Sequence, residues 1–192
     1  MARDLGPDPK EVHRAARELL SFWLEETAPR KRFARDPALD REIARRFVHL
    51  HQAVLRSHAA VWRADPVTLR AAVILLDQFS RNIYRDDERA CAGDPLARAL
   101  AREALAKGWD RGLDADERAF LYMPFMHSEA MADQLLSIAL FEAEGDELSI
   151  DYAHRHAAQI ARFGRFPQRN AILGRESTAA EEAFLEEPGS RF

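Results

Sequence analysis

The residues between Phe163 and Ser177 read F-G-R-F-P-Q-R-N-A-I-L-G-R-E-S and gather Arg165, Arg169 and Arg175 with Gln168, Asn170, Glu176 and Ser177. Guanidinium forks match carboxylate and phosphate oxygens two at a time. Phe163, Phe166, Ile172 and Leu173 are interleaved among them, which predicts a polar loop tied into a core, the usual setting of binding residues. A second constellation is D-Q-F-S-R-N-I-Y-R at Asp77 to Arg85. At ~100° per residue, Gln78, Arg81, Asn82 and Arg85 share one helix face opposite Phe79 and Ile83. Arg81 and Arg85 are like charges at i,i+4, which repel unless an anion or a carboxylate sits beside them, and Asp77 is placed to pair with Arg81. The third is His127-Ser128-Glu129, directly after Pro124 and within the apolar Leu121–Met126 stretch.

Two chemistries follow. In the first, Gln78, Arg81, Asn82, Arg85, His127, Arg165, Arg169, Asn170 and Arg175 converge on a concave pocket that takes a small anion-bearing metabolite or an acidic peptide terminus. Glu129 lies at its edge. In the second, a metal-independent hydrolase uses His127 as general base and Glu129 as its orienting or acidic partner, with an arginine pair stabilising developing negative charge. Both compete with a structural reading, in which Glu129 and Glu176 neutralise the arginines and the three segments form an internal clamp. His127 would then cap carbonyls freed by the proline, and Asn170 would supply a turn. A scaffold gripping a partner helix or tail in a groove is a further alternative.

Other chemistries find little support. His154 and His156, like His49 and His51, are two apart on helices and point to different faces, so no metal site and no cofactor is expected. Cys91 is the single cysteine, which excludes an internal disulfide and Cys-based zinc sites, and no activating partner for it is evident in the sequence. There is no Gly-rich phosphate loop, G-x-S-x-G or H-E-x-x-H. The net charge of −4 and the lack of a basic stripe argue against nucleic acid. The start lacks a signal-peptide apolar region, and the longest apolar run, Ala71 to Leu76, is too short to span a bilayer. A cytoplasmic protein is expected.

The elements that must position these groups read as helices throughout. With 192 residues, 47% apolar and 31% charged, one helical domain over 1–192 is expected, with loose ends at 1–8 and 187–192. Asp8-Pro9, Asp36-Pro37, Asp65-Pro66 and Asp94-Pro95 each place an N-cap carboxylate before a proline at the first helical position, and their 28- to 29-residue spacing suggests a helix-and-loop repeat. The apolar spacing predicts helices over 9–26, from Pro37 to about 55, and from Pro66 to about 83, the last a buried central helix. Further helices are predicted over 95–107, from Asp114 or Asp116 to a break or kink at Pro124, from Met126 to near Gly145, and over 148–163. Thr178-Ala-Ala-Glu181 is a capping box opening a last helix that buries Phe184 and Leu185. No alternating stretch suggests a strand, so the fold class is all-α, about seven to nine helices with no sheet.

Three segments, L-L-D-Q-F-S-R-N-I-Y-R, L-Y-M-P-F-M-H-S-E and F-G-R-F-P-Q-R-N-A-I-L-G-R-E-S-T, resemble hallmark segments of the DUF924 family of bacterial proteins. F-W-L-E-E at Phe22 to Glu26 and R-F-x-x-D-P-x-L-D at Arg32 to Asp40 resemble its N-terminal part, so the likeness runs from roughly residue 18 to 186. The resemblance implies stacked antiparallel helices similar to a tetratricopeptide-like superhelix, and no established activity. The chain departs from the family pattern at Ser80, where Pro is usual, at Ala130, where an acidic residue is common, and at Gln168, where His is usual. The last removes a titratable group from the centre of the candidate site.

Overall fold

The prolines that follow aspartate start the first helices as expected, with one exception. A computed structural model describes residues 8–190. Helix α1 (Pro9–Leu20) is capped by Asp8, whose Oδ1 accepts from the Lys10 N–H at 3.0 Å. It runs on into a π-helical turn, Ser21–Glu26. After the short α2 (Pro29–Arg32) comes α3 (Pro37–Arg56), capped by Asp36. Helix α4 (Pro66–Ile74), capped by Asp65, passes through a second π turn, Leu75–Phe79, into α5 (Ser80–Ile83). Helix α6 (Asp94–Ala106) departs from the pattern. Its N-cap is Gly93 and not Asp94, because the Asp94 carboxylate faces the Arg81 guanidinium instead of the helix N–H groups.

The remaining α-helices are α7 (Ala115–Met126), which carries Pro124 inside it and continues to Met126, α8 (Met131–Glu144), α9 (Glu147–Phe163) and α10 (Ala179–Leu185). Gly145 and Gly164 end α8 and α9 at φ of +78° and +70°, a left-handed geometry that only glycine adopts without strain. The Thr178 capping box forms as read, with both reciprocal hydrogen bonds. The buried residue of α10 is Glu181, 2% exposed, whereas Phe184 and Leu185 are only half-buried. Among the described residues the chain is all-α, without a strand, and no helix is long and apolar enough to cross a membrane.

The chain divides into two compact units, one from the N-terminal side through Arg85 together with Arg89–Leu121, the other Asp86–Glu88 together with the chain from Tyr122 on. In the first unit, α4 packs against α1 and α6, and α5 against α3. The two π turns carry Phe22 and Trp23, and Asp77 and Gln78, into the interior, and the wider π turn shifts the facing of the residues that follow relative to a 3.6-residue period. The resulting aromatic cluster joins Trp23 to Phe79 at 5.2 Å and Phe47 to Phe79 at 5.1 Å between ring centroids. The central helix therefore lacks the polar outer face expected from Gln78 onward: residues 71–80 are all buried.

In the second unit, α8 and α9 form the main helix pair, with Phe125, Phe141 and Phe166 fully buried. The expected loose ends at 1–7 and 191–192 lie outside the described residues. Residues 187–190, also expected to be loose, are held: Arg155 donates to the Gly189 carbonyl at 2.7 Å and Gln159 to that of Ser190 at 3.0 Å.

Candidate functional site

Two polar constellations are built, each inside its own unit. In the first unit, Arg81 lies between two carboxylates. Its Nη1 and Nη2 donate to Asp94 Oδ1 and Oδ2, both at 3.1 Å, and Nη1 also reaches Asp77 Oδ1 at 3.3 Å and the Asp77 carbonyl. Burial works against the guanidinium charge, but Asp77 and Asp94 outweigh it and raise the pKa of Arg81 further. Glycine makes this approach possible. A Cβ at Gly93 would stand 2.6 Å from the Leu76 carbonyl oxygen, so only glycine lets the start of α6 come close enough to deliver Asp94.

Arg85 is held by Asp40 in the same bidentate manner, at 2.7 and 2.8 Å. Asn82 adds a third hydrogen bond to that carboxylate at 2.8 Å. Burial raises the Asp40 pKa, and the Arg85 and Asn82 hydrogen bonds more than reverse this. Gln78 donates to Asp77 Oδ2 at 2.6 Å. The like charges of Arg81 and Arg85 are thus each met by protein carboxylates, Asp77 and Asp94 for Arg81 and Asp40 for Arg85.

The same unit contains a pair that sequence reasoning missed. His51, 1% exposed, has Nε2 2.7 Å from Ser80 Oγ, and Ser80 Oγ donates to the Leu76 carbonyl at 2.6 Å. The serine proton being used there, His51 Nε2–H is the donor, and the buried Nδ1 has no hydrogen-bond partner. Burial lowers the His51 pKa to about 4. This resembles a nucleophile and base in spacing, but the hydroxyl proton points away from the base.

In the second unit the His127 turn is braced from α8. Gln134 Nε2 donates to the carbonyls on either side of His127, Met126 at 2.7 Å and Ser128 at 2.6 Å. Ser128 Oγ donates to Asp133 Oδ2 at 2.6 Å. Glu129 Oε1 accepts from the Phe166 N–H at 2.8 Å and from Arg175 Nη2 at 2.9 Å, and its Oε2 accepts from Arg175 Nη1 at 2.8 Å. Burial pushes the Glu129 carboxyl up, but these bonds prevail and hold it below the usual range.

Arg165 grips Glu181 at 2.6 and 2.8 Å and reaches the Glu176 carbonyl at 2.9 Å, so Glu181 takes the neutralising role expected of Glu176. The Arg165 hydrogen bonds first, then the Thr178 backbone N–H, hold the Glu181 carboxyl far below its ordinary pKa. Asn170, 1% exposed, closes the turn, its Nδ2 donating to Ser177 Oγ at 3.1 Å and its carbonyl accepting from the Arg175 N–H at 2.8 Å.

Beside this clamp lies a cationic and aromatic group. The Arg169 guanidinium carbon sits 4.7 Å from the centre of the Phe166 ring, the His156 ring meets Phe166 edge-on at 5.5 Å, and His156 and His127 are 6.1 Å apart between ring centres. His156 donates Nδ1–H to the Tyr152 carbonyl at 2.7 Å; the alternative tautomer would set two lone pairs against each other. Burial, then the His127, Arg169 and Arg155 charges, lower its pKa to about 3, against the opposing pull of the Tyr152 bond. The sequence signal for His156 is its place among Ala153, Ala157 and Ile160, all buried. Its distance from His154 in sequence says nothing about its neighbour on another element.

Of the residues expected at a site, Gln78, Arg81, Asn82 and Arg85 thus belong to the first unit and His127, Arg165, Arg169, Asn170 and Arg175 to the second. Among the described residues no group of three or more His, Cys, Asp or Glu could hold a metal ion.

Comparison with known proteins follows the same division between a clear fold and an open activity. A solved structure of a protein of unknown function from Agrobacterium tumefaciens, ATU0120, is similar over 90% of this chain and 97% of that one, with 38% identity and a TM-score of 0.85. The comparison with curated proteins gives no match. The family model for DUF924, described as a bacterial protein of unknown function, matches residues 19–189, and the chain belongs to that family.

Proposed function

We propose that the second unit recognises a small anion, a carboxylate or phosphate group, through Arg169 and His127, which are partly exposed beside the buried His156 and Phe166. The observation that carries this reading is the chain of contacts in which Arg169 and the His156 imidazole both meet the Phe166 ring, with the His127 ring next to His156. Burial first, and then the neighbouring His127, Arg169 and Arg155 charges, depress protonation of His156. An anion bound at that spot would relieve the positive field. Arg81, Arg85, Arg165 and Arg175 are better read as structural, since each grips a protein carboxylate with paired hydrogen bonds; the Arg169 charge also bears on Glu129. Hydrolysis led by His127 ranks below recognition, because both Glu129 oxygens are engaged by Arg175 and the Phe166 N–H.

The test is a titration with inorganic phosphate followed by thermal unfolding, with Arg169→Gln alongside. With a Kd of about 1 mM, 100 mM phosphate stabilises by about 2.7 kcal/mol, which for a chain of this size is a rise of roughly 5–10 °C. Phosphate also stabilises proteins by exclusion from their surface, so the difference between wild type and Arg169→Gln is the readout. A rise in wild type that exceeds that of Arg169→Gln and grows with the logarithm of phosphate concentration supports the reading. Equal rises in both proteins overturn it.

A further inference from the structure

The first unit carries a groove that none of these residues uses. It has a volume of about 540 Å³ and is lined by Arg17, Leu20, Ser21, Leu24 and Glu25 from α1 and its π turn, Val67 and Arg70 from α4, and Asp114, Asp116 and Glu117 at the start of α7. Its charges are incompletely matched. Arg17 is exposed and has no side-chain hydrogen bond or ion pair among the described residues. Arg70 gives Nη1 to Glu117 at 2.9 Å, while its Nε is buried without an acceptor. On the acidic side, Asp114 and Glu117 are consumed by their mutual cap and by Arg70. Among the described residues Glu25 engages only Oε2, with Ser21. Among the described residues Asp116 engages only Oδ2, with Arg32 at 3.4 Å, and its side chain is 72% exposed. Leu20, Leu24 and Val67 supply apolar surface.

We propose that this groove binds a free α-amino acid with an apolar side chain. The ligand carboxylate meets Arg17, its ammonium meets Glu25 and Asp116, and its side chain lies on Leu20, Leu24 and Val67. A guanidinium suits the carboxylate through paired N–H donors, and carboxylate oxygens suit the three donors of an ammonium. A ligand with one charge would leave either the arginine or the carboxylate side unmatched. A ligand without a side chain would leave the apolar surface wet. This groove involves no residue of the anion site proposed above, so the two stand or fall separately.

The experiment is calorimetric titration of the full chain with L-leucine, N-acetyl-L-leucine, L-leucinamide and glycine, repeated with Arg17→Gln and Asp116→Asn. Both variants alter exposed side chains, and circular dichroism verifies that they fold. L-leucine is expected to bind, with each of the other three weaker by about tenfold or more, the usual effect of losing a charged hydrogen bond or an apolar side chain. Arg17→Gln should weaken leucine by about tenfold while leaving the residual affinity for leucinamide unchanged, and Asp116→Asn should weaken leucine while sparing N-acetyl-leucine. Absence of leucine binding at 50-fold excess over protein at about 1 mM, equal binding of either blocked analogue, or leucine binding indifferent to Arg17→Gln each overturns the proposal.

Discussion

Replacing Asp94 with Asn tests whether the end of the central helix is held by charge. Asp94 is 6% exposed and faces Arg81 with both oxygens, while Asp77, the second carboxylate on Arg81, is fully buried. Removing one partner of a buried pair costs about 3–5 kcal/mol, mostly from the charge left behind. The Arg81 side chain keeps 26% of its exposure and retains Asp77, which discounts that to about 2–3 kcal/mol. On a chain of this length the expected fall in Tm is roughly 4–12 °C. The stronger assay is a double-mutant cycle by urea unfolding, with Asp94→Asn, Arg81→Met and both together. If the pair exists as described, the double variant loses less than the sum of the singles, with a coupling of about 1 kcal/mol or more. An exposed pair, Glu42 with Arg45, is the control, and Glu42→Gln should move Tm very little. Additivity of Asp94→Asn and Arg81→Met within about 0.5 kcal/mol refutes the clamp.

Two further outcomes follow from the same geometry. His51 and His156 have pKa values of about 4 and about 3 in the folded chain, against about 6.5 when unfolded. As pH falls from 6.5 to 4.5 the unfolded chain takes up protons that the folded histidines refuse. Stability is therefore present above about pH 6.5 and declines toward the folded pKa values, by about 2 kcal/mol per histidine across that interval. Urea midpoints at pH 7 and 4.5 measure it, and a flat profile contradicts the burial of these rings as neutral species. The carboxylates Asp40 and Glu129, held low in the fold, lose their contribution at still lower pH and leave this window to the histidines. Gly93→Ala forces a methyl group to within 2.6 Å of the Leu76 carbonyl; about 1–3 kcal/mol of destabilisation is expected, read as a lower Tm, and an unchanged Tm would mean that α6 can shift freely.

Helix identity was written locally. Asp8, Asp36 and Asp65 cap where they stand because an N-cap needs only the next two or three N–H groups. Thr178 and Glu181 close their box for the same reason, and Gly145 and Gly164 stop helices through their own φ. The pairing of Asp77 with Arg81, one helical turn apart, was legible on the same grounds. The limits of local reading show at Asp94, whose sequence neighbourhood matches the three capping aspartates but whose carboxylate is drawn to Arg81, thirteen residues away. They show again at Leu75–Phe79, where the helix widens into a π turn and the polar Asp77 and Gln78 are buried, a change of period that a 3.6-residue pattern cannot foresee.

The candidate site divides along the same line. Arg165, Arg169, Asn170 and Arg175 announce a polar, anchored loop through their types and spacing alone. Which of them is neutralised depends on carboxylates arriving from elsewhere: Glu129 meets Arg175 from 46 positions away and Glu181 meets Arg165 from 16. His156 was passed over because its sequence neighbour His154 faces another way, yet its relevant neighbours, His127 and Phe166, are supplied by other elements. The sequence by itself determined the helices, their caps and the kinds of groups available for binding, because those depend on interactions within about one turn. Tertiary structure alone decided which charges cancel and which histidines are kept neutral, because burial and long-range pairing exist only once the helices pack.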